Sequence, residues 1–191
     1  MTYNSSRKTQ AKILRTFRKV HRITGAFLFI FFFFIAISGI TLGWKNNSNG
    51  IILPKSHIGT TSELEKWLPL NELNTIASIV LKDSISKNLS PELNRIDVRK
   101  EKGIVKFVYE NHYWEIQLDG ATGKTLQIAK RNSDLFEDIH DGTILDNYFN
   151  TTKSQFKLIY TSIMVSALLL FTITGFWLWY GPKRIKKRDS N

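Results

Sequence analysis

The 191-residue chain contains no cysteine, which excludes disulfide bonds, thiolate metal ligands and cysteine nucleophiles. No glycine-rich phosphate loop, no Gly-x-Ser-x-Gly and no H-E-x-x-H is present, so no nucleotide, serine-hydrolase or zinc-protease chemistry is written in it. Two long stretches lack charge altogether: residues 23–44, 22 in number, and residues 158–180, 23 in number. With no ionisable side chain inside either stretch, a proton- or ion-transporting role has nothing to work with.

These uncharged stretches are also the dominant positive feature. At 1.5 Å per residue each covers roughly 33 Å, enough for a hydrocarbon core of about 30 Å. The mean hydropathy of −0.17 conceals them, because it averages two very apolar runs with a polar middle. The expectation is two transmembrane helices, with the lipid bilayer as their first partner.

Acids are as unevenly placed as apolar residues. Residues 1–22 hold seven bases and no acid, and residues 181–191 hold five bases against Asp189. These ends account for the whole net charge of +11, leaving 15 basic and 15 acidic residues between them. Basic charge confined to two membrane ends is the positive-inside pattern. It predicts both termini in the cytoplasm and the middle of the chain translocated. It serves anionic headgroups more economically than nucleic acid, for which no groove-reading or stacking feature is present. The small residues of Ala36-Ile37-Ser38 before Gly39 suit a signal peptidase, but the apolar run continues to Trp44, and an uncleaved helix is the favoured reading.

The organisation that follows is a basic cytoplasmic segment (1–22), a first span (23–44), an exported domain (45–156), a second span (157–180) and a basic cytoplasmic tail (181–191). Within the exported part, Leu73, Ile76, Ala77, Val80 and Leu81 recur at helical spacing and predict an amphipathic helix over 68–85. Three strand-like runs follow at 93–99, 104–109 and 113–118, with Asn111-His112 at a hairpin turn. Two glycines at 120 and 123 predict another turn, and 124–129 a fourth strand. The fold class is membrane α+β: two transmembrane helices flanking a helix packed on a small antiparallel sheet.

The run from Tyr113 through Leu118, Asp119 and Gly120 to Thr122, Gly123 and Lys124 resembles the core of a PepSY domain. The run from His21 to Gly25 with Ser38-Gly39 resembles the opening helix of the PepSY-associated transmembrane family. Ile139-His140-Asp141-Gly142, leading to Thr174-Gly175-Phe176-Trp177 and Gly181-Pro182-Lys183, resembles that family's later helix. The resemblance covers nearly the whole chain past residue 18. It implies a bacterial inner-membrane protein with a periplasmic PepSY-like domain, related to ferrisiderophore-reductase-type proteins that carry haem between helices. Those larger members have four or more spans and this chain has two, so a complete cofactor site would require a second copy.

Four histidines are present. His21 lies at the basic mouth of the first span, and His140 about eighteen residues before the second. His57 falls in a loop and His112 in a hairpin turn, where a structural role is expected. Imidazole is the usual protein ligand of haem b, and two axial histidines give a low-spin electron-transfer centre. His21 and His140, separated by roughly 30 Å of bilayer, could not share one iron. In a two-fold homodimer each would pair with its mate, and two stacked haems would cross the membrane. The plainer alternatives are an interfacial polar role for His21 beside Lys19 and Arg22, and a solvated loop or divalent-metal contact for His140 among Glu137, Asp138 and Asp141.

Small residues offer a close-packing surface. Ala36, Gly39 and Gly43 share one face of the first span, and Ser162-x-x-x-Ser166 repeats the pattern on the second. They suit either a dimer contact or the seating of one span on the other. Phe27 to Phe34 includes six phenylalanines for lipid or for a helix interface, while Trp44, Trp177, Trp179 and Tyr180 read as interfacial anchors. Two functions are carried forward: a haem-linked electron-transfer component supporting periplasmic ferric iron or siderophore reduction, and a non-enzymatic membrane-anchored subunit of a larger complex whose PepSY-like domain binds a periplasmic partner.

Overall fold

Both uncharged runs lie within helices longer than themselves: α1 (Thr2–Gly43) and α5 (Gln155–Asp189). The computed structural model describes residues 2–151 and 154–189. Only 11% of the most apolar window of either helix is buried within the protein, with Phe27 76% and Phe29 66% exposed. A core helix of a water-soluble fold hides such a face, so these two are membrane spans. Between them lie α2 (Leu70–Ser84), strands β1 (Leu93–Arg99), β2 (Ile104–Tyr109), β3 (Trp114–Asp119) and β4 (Thr125–Lys130), then α3 (Asn132–Asp141) and α4 (Thr143–Phe149). The described residues form two compact units, 1–37 with 140–191 and 38–139.

In the sheet unit the four strands form an antiparallel meander in the order β1-β2-β3-β4. The hairpin after β2 uses left-handed backbone at Asn111 and Tyr113. The turn after β3 is built on Asp119, whose carboxylate accepts from the backbone N–H of Ala121 (2.9 Å) and Thr122 (3.1 Å). Gly123 completes it at φ +69°, where a side chain would strain the backbone and strike Ile76.

One sheet face carries the apolar core. Leu73, Ala77 and Leu81, four residues apart on α2, pack on Val105, Phe107, Tyr109, Ile116 and Leu118. The other face is polar yet equally covered: Lys106, Glu115, Gln117 and Asp119 are all buried. A strap over residues 51–61 crosses it. Lys55 O accepts from Gln117 Nε2 (2.8 Å), and the backbone N–H of His57 donates to Gln117 Oε1 (3.1 Å). Thr60 donates to Asp119 from its N–H (2.8 Å) and its hydroxyl (2.5 Å).

Beneath the strap the fully buried Glu115 accepts from Lys106 (3.2 Å) and from Arg131, and Arg131 reaches on to Asp134 (2.9 Å). Burial pulls the Lys106 ammonium below its ordinary pKa against the opposing pull of Glu115. Asp134 is disfavoured by its own burial, but hydrogen bonds from Arg131 and Arg95 outweigh that and hold it below the usual carboxylate range.

The expected helix and four strands are thus present, each within two residues of its predicted bounds. The helices α3 and α4 had no counterpart in the reading of the sequence, and the segment around His140, expected as a loop, is helical.

In the helical unit α1 and α5 run antiparallel. Leu14 lies at Gly181, Phe17 meets Trp177 (ring centroids 6.2 Å apart), His21 meets Thr174, and Phe31 meets Tyr160 (6.3 Å). On α5 the shielded positions include 160, 164, 167, 171, 174, 178, 181 and 185, in steps of four and three, with 175 and 177 beside them. This period near 3.5 residues is that of a continuous helix–helix seam. Of the two small-residue patterns, Ala36, Gly43, Ser162 and Ser166 are exposed and Gly39 is half-buried.

Asp146 of α4 prepares the start of the second span. Its carboxylate accepts from the backbone N–H of Phe156 (3.0 Å) and Lys157 (2.8 Å), two of the donors that a helix N-terminus leaves unpaired.

Two stability changes follow. Leu81→Ala, at a fully buried position, should cost about 2–5 kcal/mol in urea unfolding followed by tryptophan fluorescence, while Val98→Ala, half-exposed on β1, should change little. Asp119 loses some of its preference for charge through burial, yet bonds from Thr60, Thr122 and Ala121 hold its pKa below the ordinary value. Its stabilisation is therefore complete above about pH 4, the unfolded value, and is lost as pH falls through the lower folded value. Asp119→Asn should cost about 2 kcal/mol at pH 7 and flatten the acid limb of a pH-dependent melting series.

Candidate functional site

Two histidines line the helical unit at different heights. His21 sits on the α5-facing side of α1, two turns past Leu14, and its Nδ1 lies 2.8 Å from Thr174 Oγ1. Thr174 Oγ1 is also 2.7 Å from Leu170 O. A carbonyl can only accept, so the single hydroxyl proton is committed to Leu170. With the hydroxyl proton on Leu170 O, the threonine oxygen offers His21 a lone pair and Nδ1–H is the matching donor. In a neutral ring with that tautomer, Nε2 is the nitrogen through which a histidine ligates a metal.

The surroundings hold the ring in that pose. The Phe171 ring meets it edge-on at 4.4 Å between centroids and 63° between planes. Phe171 comes this close to α1 because residue 25 is glycine, where a Cβ would lie 3.1 Å from its Cζ. On the other side Gly175 leaves the imidazole in ordinary contact distance, with Cε1 3.7 Å from where a Cβ would stand. The sequence reading had weighed His21 as an interfacial residue like Lys19 and Arg22. Those two are exposed, whereas His21 is half-buried in the seam.

His140 occupies the last turn of α3 and, with Asp141 and Gly142, forms the junction to α4. Gly142 has φ +84°, and a Cβ there would fall 2.9 Å from the Tyr160 ring, so both backbone and space require glycine. Asp141 accepts from Thr143 N–H (3.0 Å), Thr143 Oγ1 (2.6 Å) and Lys157 Nζ (2.5 Å). Burial opposes its charge, and these donors outweigh it and hold its pKa low. His140 itself lines a groove of about 250 Å³ whose walls include Phe32, Ile35, Tyr160, Met164 and Leu168.

Of the acidic neighbours, Asp141 lines the same groove as His140. Asp138 takes the Tyr113 hydroxyl at 2.8 Å, Asp141 is committed to Thr143 and Lys157, and Glu137 is exposed. Among the described residues no three His, Asp or Glu side chains converge as metal ligands. His57 is exposed, and His112 bonds Ser90 O (3.1 Å) beside the Tyr109 ring, both in the sheet unit.

Tyr160 marks the level of His140 on α5 and Thr174 that of His21. Fourteen residues separate them, about 21 Å of helix at 1.5 Å per residue. The two imidazoles are not brought together, and the height between them is less than the full bilayer thickness first expected.

The model of the PepSY-associated TM region matches residues 18–190, a span holding His21, the His140–Gly142 junction and Thr174. The chain belongs to that family. No curated protein matches the sequence. In this PepSY-associated protein the motif residues have separate structural duties: Asp141 and Gly142 build a helix junction, Thr174 bonds the His21 ring, and Gly175 leaves room for it. Thr174 had been noted only as part of a motif. Its hydrogen bond to His21 was not readable because the partners stand 153 residues apart. The step of seven between Thr174 and Gly181, and between Ala167 and Thr174, was the available clue that Thr174 lies in the seam.

Thr174→Val keeps the shape of the side chain and removes the acceptor. In ¹⁵N-labelled protein the His21 ring should then move from the Nδ1–H tautomer toward Nε2–H, as read from two-bond ring correlations. An unchanged Nδ1–H signal would show that something else holds the proton.

Proposed function

We propose that this protein is a haem-linked electron-transfer component of the bacterial inner membrane that supports reduction of ferric iron or a siderophore complex in the periplasm. The observation that carries the reading is the His21 imidazole held in the seam by its Nδ1–Thr174 hydrogen bond. The donor chemistry fits haem b: one imidazole per level, with walls of Phe32, Ile35, Met164 and Leu168 at the His140 level, where Asp141 is held by Thr143 and Lys157. Haem bound there would supply a one-electron centre, and the residues of this chain would supply its axial nitrogens and exclude water.

The two heights, about 21 Å apart along α5, require separate centres and a second axial ligand for each. A second copy provides both at once, His21 pairing with the partner's His21 and His140 with the partner's His140. The outward-facing small residues Ala36, Gly43, Ser162 and Ser166 support such an assembly. The basic flanks of both spans support cytoplasmic termini and a periplasmic sheet unit.

Protein purified from haem-replete cells should be red, with a Soret band that shifts on dithionite reduction. His21→Ala and His140→Ala should each remove about half of that absorbance, and the double variant nearly all of it. A colourless preparation would overturn the reading. The second reading is a membrane-anchored interaction subunit, favoured by the open edges of β1 and β4, which pair on one side only within the sheet. It is distinguished by retained cellular function in the double histidine variant.

A further inference from the structure

We propose that the groove between α1 and α5 at their basic ends is a binding site for one anionic phospholipid. The groove encloses about 160 Å³ and is bounded by both helices of the seam. Its polar groups sit at one end. Gln10 and Arg184 stand, with Ile185, at the end nearer the chain termini, and Ile13, Leu14 and Trp177 lie three to seven residues further along their helices, toward the spans. At 1.5 Å per residue the change from cationic to apolar lining takes about 5–10 Å. A phosphate head with an acyl chain has that same sequence of polarity along the membrane normal.

Two packing details make it a groove and not a flat seam. Gly181 has no side chain, and a Cβ there would lie 2.6 Å from Leu14 Cδ2, so the floor is set by Leu14 and the glycine backbone. Trp177 is held at the bottom against Phe17, with ring centroids 6.2 Å apart. The neighbouring base does not compete for the space: Lys183 lies over the Trp179 ring, 3.8 Å from its centroid, leaving Arg184 as the lining cation.

By sequence, acids are scarce at this end, Asp189 being the exception. No acid occurs in residues 1–62 or 147–188, while Lys8, Lys12, Arg15, Lys183 and Arg184 crowd the same end. An anion is the complement, and the guanidinium with the Gln10 amide suits phosphate oxygens. Inorganic phosphate would use only the polar end and gain nothing from Leu14 and Trp177. The lipid uses both, which decides between them.

The full chain in nanodiscs containing equal fractions of brominated phosphatidylglycerol or brominated phosphatidylcholine reads the site through quenching of Trp177, with Trp177→Phe as the subtracted baseline. Phosphatidylglycerol should be enriched about fivefold over phosphatidylcholine, and Arg184→Gln should bring that ratio close to one. Lys12→Gln removes the same formal charge from an exposed position outside the groove and should keep at least half of the enrichment, and Arg184→Lys should keep part of it. Equal quenching by the two lipids would overturn the proposal. So would an equal loss in Lys12→Gln and Arg184→Gln, which would mean diffuse attraction only. Full displacement of the phosphatidylglycerol signal by millimolar inorganic phosphate would overturn it as well, showing an anion site without a lipid.

Discussion

The helical unit depends on α1 and α5 meeting along a seam whose period is close to 3.5 residues. In lipid there is no hydrophobic gain from hiding one apolar helix against another, because the tails are equally apolar. Association rests on close packing and on polar contacts between helices. The chain supplies both along one line: Gly181 and Ala167 where backbone and side chain approach, Phe171 over Gly25, and the His21–Thr174 hydrogen bond in the middle. That bond ties a chemical state to the packing. While the seam is closed the imidazole presents a defined nitrogen, and if it opened the tautomer would be unconstrained.

The sheet unit answers a different problem, how to cover both faces of a four-stranded sheet with few residues. One face is closed by apolar burial under α2. The other is closed by a polar strap and by charges that satisfy each other. Taking Glu115, Lys106 and Arg131 out of water costs solvation energy that their mutual contacts offset only while all are present. Gln117 joins the arrangement by donating to Glu115 (2.7 Å), Gln127 (2.7 Å) and the strap backbone. The network therefore fixes the strap in one register: sliding it by a residue would leave several buried donors and acceptors unmatched.

At the junction of α3 and α4 the same economy recurs. Three consecutive residues, His140, Asp141 and Gly142, perform three tasks that only their own chemistry permits: a groove-lining imidazole, a carboxylate holding Thr143 and Lys157, and a left-handed backbone beneath Tyr160. Asp146, one α4 turn later, completes the approach to the membrane by taking two backbone donors of α5. A short sequence motif is in this way a helix connection first, with His140 and Asp141 both lining the groove beside it.

Much of this architecture was legible in the order of residues. Uncharged runs of 22 and 23 residues determine spans, because bilayer thickness leaves few other uses for them. Alternation at 93–99, 104–109 and 113–118 determines strands, because successive side chains leave opposite faces of a pleated chain. The helices α3 and α4 were not legible, being short and polar, with stability drawn from contacts such as Asp146 to the start of α5 that have no local signature. Nor was the burial of Glu115 and Asp119, since an outward-facing carboxylate and one under a strap have the same alternation. The two histidines were found by type and position, but what each can do was decided only in three dimensions. A proton's place on an imidazole depends on the group within 3 Å of it, and for His21 that group arrives from the other end of the chain.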